Sequence, residues 1–219
     1  MLNFSKTLAQ FDQFLWGAGV TIVVSLLGAL FGMAVGLALV FLRDAKWRPM
    51  RWIAHIYISF VRGTPLLVQI FLVYYALPGL TGIDLAPFTA GVLALSLNSG
   101  AFASEIFRAG LSRIPPGQFE AADALGLPRI VTWPKIILPQ VFRIVLPPLV
   151  NEFTLLVKAS TLLSVITVVD LTRTAQNIMN TTYRPVEAFL MAAAFYFVIL
   201  FALSSLTRAL ESRTQEQRR

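Results

Sequence analysis

The sequence predicts an all-α membrane protein that crosses the bilayer with five helices. Two facts of composition point there: 57% of the 219 residues are hydrophobic and only 13% are charged. Soluble domains carry about 25% charged residues, so this chain has too little polar surface to fold in water. The third observation is a series of apolar runs, each long enough for the roughly 20 residues that a membrane-spanning helix needs.

Five apolar runs are separated by short polar connections, and together they form a single membrane domain over residues 1–219. The first run is too long for the apolar region of a cleaved signal peptide, and no obvious small-residue cleavage motif follows it. We therefore interpret it as a retained span. The predicted spans are residues 14–42, 53–77, 88–107, 142–161 and 186–206.

Lysine and arginine are concentrated in alternate connections, and this bias orients the chain because short basic loops stay in the cytoplasm. Most basic residues lie between spans one and two, beside the connection between spans three and four, or in the tail. The amino terminus is therefore predicted outside and the carboxyl terminus in the cytoplasm. A sixth crossing after span four would put the arginine-rich tail outside, so residues 162–180 are interpreted as a re-entrant or surface helix on the outer side.

The connection after span three is predicted to contain a short helix with well-defined ends. Pro115 and Pro116 suit a first helical turn, and Glu120 favours the positive end of the helix dipole. Gly126 suits the left-handed conformation that ends a helix. The alanines between them present little bulk, so the helix could enter a groove on another protein. The alternative is an amphipathic linker on the membrane surface.

The sequence Glu-Ala-Ala-Asp-Ala-Leu-Gly at 120–126, followed by Ile-Ile-Leu-Pro at 136–139, resembles the signature loop of ABC-importer permeases. Residues 62–69 and 138–153 resemble segments of the permeases of polar amino acid importers. Three departures from that pattern are Phe102, Val150 and Ala159, where tyrosine, glycine and an acidic residue are usual. The resemblance covers most of the chain, with the five spans in the same order.

The resemblance implies that residues 114–139 form a cytoplasmic coupling loop whose helix sits in the ATPase. The residues carried over to that role are Glu120, Ala121, Ala122, Asp123 and Gly126. The chain has no Gly-x-x-x-x-Gly-Lys-Ser/Thr loop for ATP phosphates, so the motor is expected to be a separate subunit.

The resemblance further implies a multi-pass protein of the bacterial cytoplasmic (inner) membrane that translocates a polar amino acid. The expected partners are an ABC ATPase dimer, a second permease subunit, either identical or a sister chain, and an extracytoplasmic solute-binding protein. The chain itself is expected to perform no covalent chemistry and to need no cofactor or metal. Nucleic acid is not an expected partner, because the basic residues form short clusters between apolar runs.

Polar and charged residues inside the spans are candidates for the substrate site, because they are expensive in lipid and by default mark a pathway or a paired site. Residues 63–65 are expected to weaken the helix early in span two, and Pro147 and Pro148 are expected to break backbone pairing in span four. Such breaks would expose backbone groups beside a cavity. We predict a polar cavity between spans two, three and four, with Asn151 and Glu152 as the strongest candidates. The full predicted set is Asn151, Glu152, Asn98, Lys158, Thr64 and Glu105.

A structural alternative remains for the charged members of this set. Glu105 and Glu152 could instead pair with Arg62, Lys158 or another subunit to neutralise buried charge. Similarly, small residues at 28, 32 and 36 form a ladder that suits close helix packing, either within the chain or at a subunit seam.

Two other classes of membrane protein fit the sequence less well than an ABC importer does. A secondary transporter driven by an ion gradient would be expected to show repeated halves, and the sequence shows none. An intramembrane enzyme would need a compact polar catalytic set, but His55 is the single histidine and the chain lacks cysteine. No catalytic residue is therefore predicted.

Overall fold

The computed structural model describes residues 4–216 of the chain and the side chains of residues 4–209. Every regular element in that part of the chain is helical, which confirms the predicted all-α fold. The α-helices are α1 (Ser5–Leu8), α2 (Phe11–Arg43), α3 (Arg48–Gly63), α4 (Leu66–Phe71), α5 (Leu77–Thr81), α6 (Pro87–Ser112), α7 (Pro116–Ala124), α8 (Arg129–Thr132), α9 (Leu138–Ala159), α10 (Leu171–Thr182) and α11 (Pro185–Glu216). Two π-helical turns, Leu72–Ala76 and Trp133–Ile137, and a 3-10 helix, Ser160–Ile166, continue these helices.

Four helical stretches of the described residues are long and apolar enough to cross a membrane. A bent pair of helices adds a fifth candidate. The four stretches are Phe11–Arg43, Pro87–Ser112, Arg129–Ile166 and Pro185–Ala209.

The second predicted span is two helices rather than one. Arg48–Gly63 and Leu66–Thr81 are bent by 114° at the break between them. Thr64 and Pro65 both have extended backbones, as expected where proline excludes the helical conformation from the residue before it. Pro65 thus turns the weakened helix predicted at 63–65 into a complete break, and α3 lies across the direction of α4.

The longest packing seam joins α2 to α6, and the glycine ladder lies in it. A Cβ atom added at Gly36 would lie 2.8 Å from the Cβ of Ala103 and 3.0 Å from the backbone nitrogen of Ser104. Gly28 and Gly32 meet α6 just as closely. The ladder therefore serves packing within the chain, and the helices approach to backbone contact because these positions lack side chains.

We predict that Gly36→Leu strongly destabilises the folded permease, because neither Ala103 nor the α6 backbone can move aside easily for a side chain. Overpacking of this kind costs about 1–3 kcal/mol and sometimes more. Thermal unfolding in detergent, followed by size-exclusion chromatography, measures the effect. Gly19→Leu is the matched control, since a Cβ atom at Gly19 on the same helix meets nothing within 4 Å. Equal stability of the two variants would contradict the packing role.

The segment predicted as a re-entrant or surface helix forms the 3-10 turn after α9 and then α10. The twelve residues of α10 span about 18 Å, too short for a further crossing. Leu171, Ala175 and Ile178 are buried with Phe14 of α2, so α10 lies at the end of the bundle where α2 begins. Asp170 caps α10 by accepting a hydrogen bond from the Arg173 amide at 2.8 Å. Burial raises the pKa of this carboxyl group to about 6.

Candidate functional site

Two partly open cavities along α6 and α9 contain most of the predicted site residues. The smaller, named here the Glu152 cavity, has a volume of about 300 Å³ and opens beside the break between α3 and α4. The larger, named here the Asn151 cavity, measures about 490 Å³ and lies where α6 approaches α7. A further cavity of about 390 Å³, lined almost entirely by apolar residues, also reaches Glu152. The volumes fall in the range of small-molecule sites, which begins at about 300 Å³.

The Glu152 cavity combines four polar side chains with an apolar wall. Arg62 and Thr64 come from the end of α3, Asn98 from the middle of α6, and Glu152 from α9. The apolar wall includes Phe102. A guanidinium, a hydroxyl group, an amide and a carboxylate therefore face one small space, which suits a ligand that carries charges of both signs.

The break between α3 and α4 is held open by a glutamine that the sequence analysis did not predict. The Gln69 amide nitrogen lies 2.8 Å from the Val61 carbonyl oxygen and 3.1 Å from that of Thr64, and donates to both. These carbonyls lack helical partners because the helix stops. The Gln69 oxygen in turn accepts from the Asn98 amide at 2.9 Å, so α4 and α6 are fixed together at the cavity. One feature of the sequence could have identified Gln69: it is the last residue of segment 62–69, which resembles a segment of the permeases of polar amino acid importers.

Glu105 is held by two arginines from different helices. Its carboxylate forms a close ion pair with Arg43 at the end of α2, and its second oxygen lies 3.9 Å from the Arg62 guanidinium. Arg62 also lies over the Phe102 ring, 5.8 Å from its centre. The pairing with Arg62 matches the structural alternative predicted for Glu105. Arg43 was missed, since it lies 62 positions from Glu105 in the sequence.

The six side chains predicted for the substrate site do not form one cluster. Thr64, Asn98 and Glu152 line the Glu152 cavity, whereas Asn151 and Glu105 line the other cavity. Neighbouring helical residues point about 100° apart, which separates Asn151 from Glu152. Lys158 lines neither of these two cavities and is exposed further along α9.

The short helix α7 has one face on the protein and one face outward. Ala122 is buried and the Phe119 ring lies 6.2 Å from the Trp133 ring, both against the bundle. The opposite face consists of small and acidic side chains. Exposed on it are Glu120, Ala121 and Asp123, with Gly126 beyond the end of the helix.

The end of α7 has the hydrogen bonds of a glycine-terminated helix. Gly126 has a left-handed φ of 66°. Its amide donates to the Asp123 carbonyl at 3.0 Å, and the Leu127 amide donates to the Ala122 carbonyl at 3.0 Å. This pattern satisfies carbonyls that the helix would otherwise leave without partners. The predicted helix end at Gly126 matches this geometry.

The outward face of α7 and the start of α2 lie at opposite ends of the bundle. Asp44, which follows α2, lies 3.7 Å from the guanidinium of Arg108 near the end of α6. The chain enters α7 directly from that end of α6. The start of α2 and α10 are at the other end. Membrane-length helices with partly open cavities between them, and an exposed helix at one end of the bundle, are the arrangement expected of a membrane transport subunit.

The chain belongs to the family of binding-protein-dependent transport system inner membrane components, whose profile matches residues 28–216. It is therefore a multi-pass inner-membrane permease subunit of an ABC importer, as the resemblance implied. Neither of the rival classes, secondary transporter or membrane enzyme, receives support from the comparisons.

Individual relatives cover almost the whole chain. The arginine transport system permease protein ArtQ of Bacillus subtilis (strain 168) is 39% identical over 212 residues, covering 97% of each chain. The L-cystine transport system permease protein TcyB of the same organism is 42% identical over 194 residues, covering 88% of this chain and 82% of TcyB.

A solved structure confirms the ABC-permease fold. It is described as a crystal structure of an amino acid ABC transporter with histidines. The two chains superpose with a TM-score of 0.90 at 38% sequence identity, covering 97% of this chain and 99% of the other.

Proposed function

We propose that this permease translocates a polar amino acid which an extracytoplasmic solute-binding protein delivers, and that the Glu152 cavity receives it. Its partners in this proposal are an ABC ATPase dimer, which hydrolyses the ATP, and a second permease subunit, identical or a sister chain. The observation that carries the proposal is the meeting of a cation, a carboxylate and an amide in a space of about 300 Å³.

The charges of the cavity match those of an amino acid zwitterion. The Arg62 guanidinium supplies paired donors for an α-carboxylate, and the Glu152 carboxylate supplies an acceptor for an α-ammonium group. The amide of Asn98 and the hydroxyl of Thr64 add hydrogen-bonding groups at the same wall. Glu152 has no ion-pair partner within the described residues, which leaves its carboxylate available for a ligand.

The Asn151 cavity is proposed as the position that the substrate occupies next, as it moves toward the end of the bundle where α7 lies. Glu105, Arg113 and Asn151 line it, and Gly110 belongs to the last turns of α6 before α7. The pair Pro147 and Pro148 forms its wall on α9. The break predicted at these prolines does not occur, because α9 runs as one helix from Leu138 to Ala159. Closure of the ATPases on ATP would push α7 and so change which of the two cavities is open.

Coupling is proposed to act through the outward face of α7. The small side chain of Ala121 allows close approach by another protein, and Glu120 and Asp123 offer charge for orientation. This arrangement supports a helix seated in a groove of the ATPase, with Gly126 ending it. The face toward the bundle, with Ala122, would transmit the movement to the spans.

We expect Glu152→Gln to raise the KM for ATP-driven amino acid uptake at least tenfold, because a hydrogen bond to a charged group contributes about 1.5–3 kcal/mol. The measurement is uptake of labelled amino acids by the full complex in proteoliposomes. Lys158→Gln on the same helix is the control, since this exposed residue lines neither cavity. An unchanged KM in Glu152→Gln would remove the cavity from the proposal and leave the importer class intact.

A further inference from the structure

Helix α3 has three distinct faces. The first is buried: Ala54, Ile58 and Val61 pack with Leu39 of α2 and Ala101 of α6. Because helical residues advance by about 100° each, the remaining side chains divide between two outward sectors. One sector is apolar and the other is basic.

The apolar sector consists of large side chains that the chain itself does not cover. Its members, each at least half exposed, are Trp52, Ile53, Ile56 and Phe60. Arg48, Arg51 and His55 form the basic sector, and Lys46 precedes it in the connection from α2. All four basic side chains are exposed.

Within residues 4–209, the basic side chains of this sector have no acidic partners. Among the described residues, no carboxylate lies within ion-pair distance of Lys46, Arg48 or Arg51. The neighbouring carboxylate of Asp44 lies beside Arg108 instead. Unpaired basic groups next to an apolar face match the chemistry of an anionic membrane surface.

The direction of α3 differs from that of the helix that follows it. The 114° bend makes α3 closer to perpendicular than to parallel with α4, which packs against α6. Its first residue follows the end of α2 that meets α6 at the pair of Asp44 and Arg108. Helix α3 therefore begins at the same end of the bundle as α7.

We propose that α3 is an in-plane helix that binds anionic phospholipid headgroups through Lys46, Arg48 and Arg51. Its apolar sector lies among the acyl chains, as in other amphipathic interfacial helices. A second copy of the chain is a poorer occupant, because pairing of α3 with α3 about a twofold axis brings the arginines of both copies together. Charge complementarity therefore favours lipid.

The lipid contact has a route to the substrate cavity. Arg62, in the last turn of α3, lines the Glu152 cavity and lies beside Glu105. A shift of α3 at the headgroups would move this guanidinium. If the cavity receives the substrate as proposed above, this movement of Arg62 should make ATP-driven uptake faster in membranes that contain anionic lipid.

The lipid site is tested directly with the whole transport complex in nanodiscs that contain phosphatidylglycerol and phosphatidylcholine. Native mass spectrometry of the released complex counts the lipids of each type that remain bound. We expect the preference for phosphatidylglycerol to fall roughly 25-fold in the double variant Arg48→Gln/Arg51→Gln, since each basic group near the surface contributes about fivefold. The double variant Arg48→Lys/Arg51→Lys keeps both charges and should keep the preference.

Two results would overturn the proposal. One is an unchanged phosphatidylglycerol preference in Arg48→Gln/Arg51→Gln. The other is loss of the ATPase subunits from that variant with lipid binding intact, which would identify α3 as a protein-docking surface. Lipid binding is read independently of uptake, so failure of the amino acid proposal would leave this measurement interpretable.

Discussion

Charge reversal at Glu120, or aspartate at Gly126, is expected to abolish the ATP hydrolysis that substrate-loaded binding protein stimulates. Glu120 is exposed on the outward face of α7, and under the proposed docking of α7 into an ATPase groove a lysine there would present the opposite charge to the partner. Like charges brought together at an interface cost several kcal/mol, enough to reduce stimulated hydrolysis by more than tenfold. The assay compares hydrolysis by reconstituted complexes with and without loaded binding protein.

The Gly126 substitution acts through the backbone. At a φ of 66°, a residue with a Cβ atom pays about 1–2 kcal/mol, and the added carboxylate lies at the negative end of the helix. Both effects loosen the end of α7. Asparagine tolerates the left-handed conformation better than most residues and carries no charge, so Gly126→Asn should retain more activity than Gly126→Asp.

Glu120→Gln is the matched control for charge reversal, because it preserves size while removing only the charge. We expect it to keep a measurable part of the stimulated hydrolysis. All variants must insert into the membrane and copurify as folded protein. If folded Glu120→Lys and Gly126→Asp were both stimulated like the unmodified complex, α7 would not be the coupling element.

Glu105→Gln is expected to lower the stability of the permease by about 3 kcal/mol. Removing one partner of a buried ion pair leaves the other charge uncompensated and costs about 3–5 kcal/mol. The Arg43 side chain is only 12% exposed, and its Nε atom is buried without a hydrogen-bond partner. Glu105 is 35% exposed and partly solvated, so we expect the lower end of that range.

A loss of that size corresponds to a fall in Tm of roughly 10 °C for a domain of this length. The comparison variant is Asp44→Asn, because the pair of Asp44 and Arg108 is exposed on both sides. Exposed pairs contribute about 0–1 kcal/mol, so its Tm should barely change. The double variant Arg43→Leu/Glu105→Leu should recover part of the stability, because it removes the buried Arg43 charge together with its partner and leaves only Arg62, which is half exposed. Equal Tm values for Glu105→Gln and Asp44→Asn would show that Glu105 has no stabilising role.

The fold was largely predictable from the sequence because it depends on local properties. Long apolar runs separated by polar connections predict the helical bundle directly, since only a helix satisfies its own backbone in lipid. The end of α7 was predictable for the same reason, because Gly126 sets it locally. The 114° bend was only half predictable. Pro65 predicts a weakened helix at this position. The complete break also depends on the hydrogen bonds of Gln69 and Asn98, which join residues distant in the sequence.

The composition of the cavities depends on tertiary contacts, which the sequence pattern does not reveal. Asn151 and Glu152 were predicted as site residues because they are polar and lie within a span. They are adjacent in the sequence, but the helical turn of α9 places their side chains in different cavities. The pairing of Glu105 with Arg43 requires the packing of α2 against α6, which aligns residues far apart in the chain. The Gly36 contact with Ala103 is part of that same seam.

The most direct test of the account is amino acid uptake into proteoliposomes that contain this permease, its ATPase subunits and its binding protein. An ABC importer should show uptake that requires both ATP and the binding protein, and that persists when ionophores collapse every ion gradient. The same uptake should be lost in Gly126→Asp. Uptake that proceeds without ATP and stops on addition of an ionophore would exclude an ATP-driven importer and support a secondary transporter driven by an ion gradient.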